Sequence, residues 1–237
     1  MLCRVWLPLQ RVIEQVGFIR STPAGPLGRA IQVAEGREDR LHPLPFSGNL
    51  YASIFWWTYV LWFVLETTAS KKKRSGDPAK TRDRGSYRLI MILMWIAMAS
   101  AFALSFVLPQ ATILWRRKQV FFLGIGLMLA GLAFRFYAMR VLGRFFTYDV
   151  AVQAGQRVVE AGPYRYMRHP SYAGALVTIA GFGLALGNWA ALLVLLACMG
   201  AAYAYRISVE EAALAEALGE PYREYMRRTR RLIPFLF

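Results

Sequence analysis

Apolar residues in this chain come in helix-length blocks separated by polar, mostly basic stretches. The blocks run over about Leu50–Leu65, Tyr87–Leu108, Val120–Ala138, Tyr172–Leu186 and Trp189–Tyr205. At 1.5 Å per residue, runs of this size suit the ~30 Å hydrocarbon core of a bilayer. They predict about five transmembrane helices. Pro109 closes the second block, and Gly187-Asn188 is a turn signal that makes the fourth and fifth helices a tight antiparallel pair. The fifth continues past Arg206 as an amphipathic helix over Val209–Leu218. Gly219 stops it, and Pro221 opens a second short helix, Tyr222–Arg228. The fold class is an all-α integral membrane protein.

The chain divides into three parts: residues 1–46, 47–138 with the first three helices, and 139–237. The first part scatters Arg4, Arg11, Arg20, Arg29, Arg37 and Arg40 among Pro and Gly and reads as a poorly structured leader or a short surface helix. Gly124, Gly126, Ala130, Gly131 and Ala133 give the third helix small surfaces for close packing. Arg135, near that helix's end, has three options: snorkelling, pairing, or facing a cavity. The polar segment Met139–Pro170 holds two short alternating runs, Asp149–Gln153 and Arg157–Glu160, joined by Ala154-Gly155, which predict a small hairpin.

Composition sharpens the class. The chain is 57% hydrophobic and 18% charged, and its net charge of +15 comes from 29 Lys and Arg against 14 Asp and Glu. The basic residues flank the apolar blocks, so the excess is a membrane-orientation signal and nucleic acid is not expected as a partner. Placing the Lys71–Arg84 loop, the Met139–Pro170 segment and the C-terminus in the cytosol satisfies most of them. Arg116, Arg117 and Lys118 then fall outside, a local violation. Cys3 and Cys198 have no metal-ligand spacing, and with only His42 and His169 no metal site is expected.

Gly162–Gly174, GPYRYMRHPSYAG, breaks the helical pattern at the mouth of the fourth block. Two readings stand. One is an interfacial belt, with Tyr164, Tyr166 and Tyr172 at headgroup level and Arg165 and Arg168 snorkelling. The other is a cavity wall, because irregular backbone at membrane depth needs protein or water partners. On the fifth helix Arg206 and Glu210, four apart, share a face. They are either a solvated surface pair or a pair facing the irregular segment.

Several motifs together resemble the isoprenylcysteine carboxyl methyltransferase family. They are Leu142-Gly143-Arg144-Phe145-Phe146, Gly162-Pro163-Tyr164, Arg168-His169-Pro170-Ser171-Tyr172-x-Gly174, and the tail Arg206, Glu210-Glu211, Leu218-Gly219, Tyr222, Tyr225, Ile233-Pro234. The likeness covers about Val141 to Pro234. It implies a multi-pass membrane methyltransferase using S-adenosylmethionine, with its site facing the cytosol between the loop before the fourth helix and the extended C-terminal helix. By this resemblance Gln156, Arg157, Val158, Val159, Tyr164, His169, Pro170, Ser171, Tyr172 and Glu210 hold the cofactor. Arg206 orients the substrate, a lipophilic acceptor with a carboxylate, thiol or amine that enters from the membrane. Such a transfer needs alignment and charge placement more than a general base. Two rivals stand beside this reading. One is a sterol-type reductase using NADPH, with Arg157 and Arg165 as added contacts; the other is a non-catalytic scaffold of the same fold.

Overall fold

The computed structural model of the protein describes residues 43–46, 50–72, 85–150, 152–153 and 155–232. The predicted leader up to residue 42, residues 73–84 of the basic loop, and Ile233-Pro234 lie outside the described residues.

Among the described residues there are six α-helices: α1 (Leu50–Lys72), α2 (Ser86–Val107), α3 (Arg117–Leu142), α4 (Pro170–Leu186), α5 (Trp189–Leu218) and α6 (Glu220–Arg228). Helices form over all five predicted apolar blocks and over the short tail. α1 outruns its apolar block, and the hydroxyls of the polar residues beyond it turn back onto the helix's own carbonyls. Thr67 Oγ1 donates to Phe63 O at 2.7 Å, Thr68 Oγ1 to Val64 O at 2.6 Å, and Ser70 Oγ to Thr67 O at 3.0 Å.

α2, α3 with its 3-10 continuation to Phe145, and α5 are each long and apolar enough to cross a membrane. α4 is apolar but shorter, at 17 residues. α1 has 23 residues and dilutes its aliphatic content with Trp56, Trp57, Trp62, Tyr51 and Tyr59. Large apolar side chains face outward along these helices, among them Trp57 on α1, Trp95 and Ile96 on α2, Leu123 on α3 and Leu193 on α5. Such a surface requires lipid rather than water.

The closest packing is between α3 and α4, and glycines permit it. A Cβ on Gly131 would lie 2.6 Å from both Gly174 O and Thr178 N, and one on Gly124 would lie 2.5 Å from Ala185 N. Their partners Gly174 and Gly181 are equally crowded. The two backbones therefore touch directly. Gly126, Ala130 and Ala133, expected to share in this packing, instead point to the exposed side of α3. On the other side of α4, the fully buried Phe182 meets the rings of Phe55, Tyr59 and Phe102 with centroids 5.3–5.9 Å apart, joining α1, α2 and α4.

The α4–α5 turn is the predicted tight one. Gly187 takes φ 70°, which a glycine adopts without a Cβ penalty. Asn188 then caps α5, its Oδ1 accepting from Ala191 N–H at 3.1 Å while Nδ2 donates to Leu108 O at 3.0 Å. That second bond fixes the turn to the end of α2.

The predicted hairpin in the α3–α4 connection does not form, and the described residues hold no strand. Gln156 explains why. Its N–H donates to Gln153 O at 3.0 Å and its side-chain Oε1 accepts from Gln153 N–H at 2.7 Å, so the side chain closes the turn that a cross-strand ladder would have used.

Candidate active site

The Gly162–Gly174 segment lines a cavity, which decides between its two readings. Gly162–Arg165 forms a 3-10 turn and Pro170 starts α4, buried at a position where its missing N–H costs nothing. Tyr164, Met167, His169, Ser171 and Tyr172 are buried, whereas Arg165 and Tyr166 remain outside. The main chain here is held by α6 and the residues just beyond it. Arg168 N–H donates to Arg230 O at 2.7 Å and His169 N–H to Arg231 O at 3.0 Å. Tyr225 Oη donates to Tyr164 O at 2.6 Å.

Glu211 forms the other half of this fastening. Its Oε1 accepts from Arg168 Nε at 2.7 Å and its Oε2 pairs with Arg231 Nη2 at 3.0 Å. Arg168 Nη1 also reaches Met226 O at 3.0 Å and Thr229 O. Glu211 is 4% exposed, so this carboxylate is committed to structure. Its neighbour Glu210 points the other way, into the cavity.

That cavity is an open cleft between the α3–α4 connection, α4, α5 and α6. Nine of the ten residues expected to hold a cofactor line it: Gln156, Arg157, Val158, Val159, Tyr164, His169, Ser171, Tyr172 and Glu210. Pro170 is not among the lining residues. Asp149, Leu214, Leu218, Tyr222 and Tyr225 join the wall. Burial pushes the phenols of Tyr164 and Tyr222 well above their ordinary pKa, with the Glu210 charge adding to it, so both stay neutral hydrogen-bonding groups.

A second cavity lies deeper among α1, α2, α3, α4 and α5. Its walls are mostly apolar, with Trp62, Phe63, Ile90, Met91, Met94, Ile179 and Met199 among them. Three charged residues also line it: Glu66, Arg135 and Arg206. Arg135 takes two of its three options at once, pairing with Glu66 at 2.5 Å while facing this cavity. Sequence reasoning missed Glu66, although a single acid in the apolar helix α1 was a signal for it.

The two cavities share Phe146, Thr147 and Tyr172 as walls. Tyr172 Oη donates to Glu210 Oε2 at 2.6 Å and accepts from Arg206 Nε at 3.1 Å. Arg206 and Glu210 are therefore not a solvated surface pair. Arg206 is 3% exposed, and its Nη1 donates to Ser86 Oγ at 2.8 Å and its Nη2 to Tyr148 O. The rings of His169, Tyr172 and Tyr203 stack in sequence, with centroids 5.4 and 5.1 Å apart. His169 also approaches both acids, Nε2 lying 3.4 Å from Glu211 and Nδ1 lying 3.9 Å from Glu210.

Fold and site together define an all-helical integral membrane protein in which a polar, tyrosine-walled cleft meets an apolar cavity at one hydroxyl. Comparison with known proteins shows which group the chain resembles. Residues 124–216 match the isoprenylcysteine carboxyl methyltransferase (ICMT) family model. A probable protein-S-isoprenylcysteine O-methyltransferase of Oryza sativa subsp. indica is 26% identical over 152 residues, 62% of this chain and 80% of that one. The protein-S-isoprenylcysteine O-methyltransferase of Schizosaccharomyces pombe is 31% identical over 114 residues, 47% of this chain and 48% of that one. The solved structure of a eukaryotic intramembrane Ras methyltransferase, isoprenylcysteine carboxyl methyltransferase, matches with a TM-score of 0.52 at 22% identity, over 62% of this chain and 52% of that one. Over residues 124–216 the chain is similar to the isoprenylcysteine carboxyl methyltransferase family, and the comparisons support a membrane methyltransferase of that type.

Proposed function

We propose that this protein transfers a methyl group from S-adenosylmethionine to the carboxylate of a lipophilic acceptor, an isoprenylcysteine-like molecule drawn from the membrane. The observation that carries this reading is the meeting of two chemically different cavities at Tyr172, with Glu210 on one side of its hydroxyl and Arg206 on the other. The upper cavity suits the donor. The Glu210 carboxylate, 28% exposed, is placed to face a cation. Val158, Val159, Leu214 and Leu218 offer apolar surface to a ring, and neutral phenols surround them. The lower cavity suits a hydrocarbon tail, with Arg206 at its inner end for an anion.

When bound, S-adenosylmethionine supplies an electrophilic methyl on a sulfonium, which the acceptor oxygen takes as the carbon–sulfur bond breaks. The rest is positioning. Arg206, held by Ser86 and Tyr148, fixes the acceptor's carboxylate near Tyr172. Tyr172, with its proton toward Glu210, keeps the carboxylate of Glu210 oriented and separates the two anions. A carboxylate nucleophile is already ionised, so the site needs no general base. All five helices α1–α5 cross the bilayer in this reading, and α5, about 45 Å long at 1.5 Å per residue, carries Glu210 out on the cytosolic side. The exposed arginines Arg144, Arg157, Arg165, Arg223 and Arg227 cluster with that end, which supports the orientation.

Calorimetric titration of the purified protein with S-adenosylmethionine, S-adenosylhomocysteine and NADPH tests the donor. The first two should bind saturably and Glu210→Ala should abolish both. Binding of NADPH alone, or undiminished S-adenosylmethionine binding by folded Glu210→Ala, would overturn the assignment.

A further inference from the structure

Of the three charged residues in the lower cavity, the transfer reaction uses Arg206 and leaves Glu66 and Arg135 without a role. Glu66 stands on α1, outside the residues 124–216 that match the family. Its carboxylate takes Arg135 at two points, Nε to Oε1 at 2.5 Å and Nη2 to Oε2 at 3.1 Å. Tyr148 Oη adds a third donor to Oε2 at 3.0 Å. Arg135 spends its Nη1 on Ser171 O, at 3.0 Å. A carboxylate offers about four acceptor sites, so these three donors leave room for one more.

Tyr148 also places Glu66 relative to the acceptor's anion. The residue whose hydroxyl reaches Glu66 gives its main-chain carbonyl to Arg206. The Glu66 carboxylate and the guanidinium of Arg206 are thus anchored on one residue, at the same end of a largely apolar cavity. There, charges act on one another with little solvent screening.

We propose that Glu66 sets the charge pattern of the acceptor. It favours a carboxylate flanked by an ammonium or N–H donor, and it rejects an acceptor that carries a second anionic group. The donor gains a charge-assisted hydrogen bond at the remaining acceptor site, whereas a second carboxylate meets a like charge. Glu66 also occupies Arg135, which would otherwise be a seat for that second anion. This inference rests on the lower cavity being the acceptor site.

The test is equilibrium binding of three molecules with one tail: S-hexadecyl-3-mercaptopropionate, S-hexadecylmercaptosuccinate and S-hexadecylcysteine. The wild type should bind the cysteine derivative best and the succinate worst. In Glu66→Gln the succinate-to-cysteine ratio of dissociation constants should fall by about tenfold or more, the size of one gained or lost charged contact. Because Glu66→Gln strands a buried guanidinium, the double variant Glu66→Gln/Arg135→Gln serves as its control and as its substitute where the single variant does not fold. With neither charge present, its ratio should lie between those of the wild type and Glu66→Gln, or simply below the wild type's where only the double variant is measured. A ratio unchanged from the wild type in either variant overturns the proposal, since a merely structural role would weaken all three ligands alike. Methyl transfer to the same compounds, measured in parallel, separates the two claims. Binding in the expected order without transfer would refute the proposed reaction and leave Glu66 its role; no binding at all would refute both.

Discussion

The direct contact between α3 and α4 can be challenged with a single methyl group. In Gly131→Ala the new Cβ would sit 2.6 Å from Gly174 O and Thr178 N and 2.7 Å from Thr178 Oγ1. An ordinary contact needs about 3.5 Å, so the helices must separate by roughly 1 Å, because two of the three obstacles are backbone atoms. Overpacking of this kind costs about 1–3 kcal/mol, against a gain of up to about 1 kcal/mol from replacing a helical glycine. Gly126→Ala is the matched control on the same helix: its Cβ meets nothing within 4 Å and should collect the gain alone. At roughly 2–4 °C per kcal/mol for a chain of this size, Gly131→Ala should unfold in detergent about 2–12 °C below Gly126→Ala, which holds or exceeds the wild-type midpoint. Size-exclusion profiles after heating read both. The activity of surviving Gly131→Ala should also drop, since α4 carries Ser171 and Tyr172. Equal midpoints for the two variants would show that α3 and α4 do not depend on backbone contact.

The site itself yields three more expectations. Tyr172→Phe removes a hydroxyl bonded to two charged groups, and loss of the equivalent of one charged hydrogen bond, about 1.5–3 kcal/mol, from the transition state should lower kcat/KM about 10- to 100-fold; a value within twofold of wild type would show that the link between Arg206 and Glu210 is idle. Glu211→Gln strands Arg168 and weakens the hold on Arg231, at a cost of about 3–5 kcal/mol for breaking a buried pair. Limited trypsin digestion should then cut after Arg223 to Arg231 much faster than in wild type, and an unchanged digestion pattern would refute the fastening role. Tyr225→Phe, which loses one buried bond to Tyr164 O, should cost about 1–3 kcal/mol in thermal unfolding and raise the cofactor dissociation constant, and a variant with both values unchanged would show that bond to be dispensable.

The helices were legible because apolar length and turn chemistry are local properties. Gly187-Asn188 and Gly219 end and start elements as expected, and the helix-face spacing of Arg206 and Glu210 was real. What remained hidden depends on residues far apart in the chain. Glu66 finds Arg135 across 69 positions, and Arg168 finds Thr229 across 61. Nothing in either neighbourhood announces its partner. The expected hairpin failed for a related reason: Arg157, Val158 and Val159 line the cavity in succession rather than alternating between the two faces of a sheet. Glu210 and Glu211 look alike in sequence, and only the rotation of α5 sends one to the cleft and the other to the arginines.

The fastening of Tyr166–His169 by residues 225–232 also bears on how the protein is made. Helices α1–α5 all precede that segment in the chain, so insertion into the bilayer runs ahead of site assembly. During synthesis the bundle can be in place while the cleft still lacks Tyr222, Tyr225 and the main-chain partners of Arg168 and His169. A nascent chain halted before this point would hold Arg206 and Tyr172 in the bilayer with an unfinished cleft above them. On the proposed reading the cleft is therefore complete only once this segment has emerged from the ribosome.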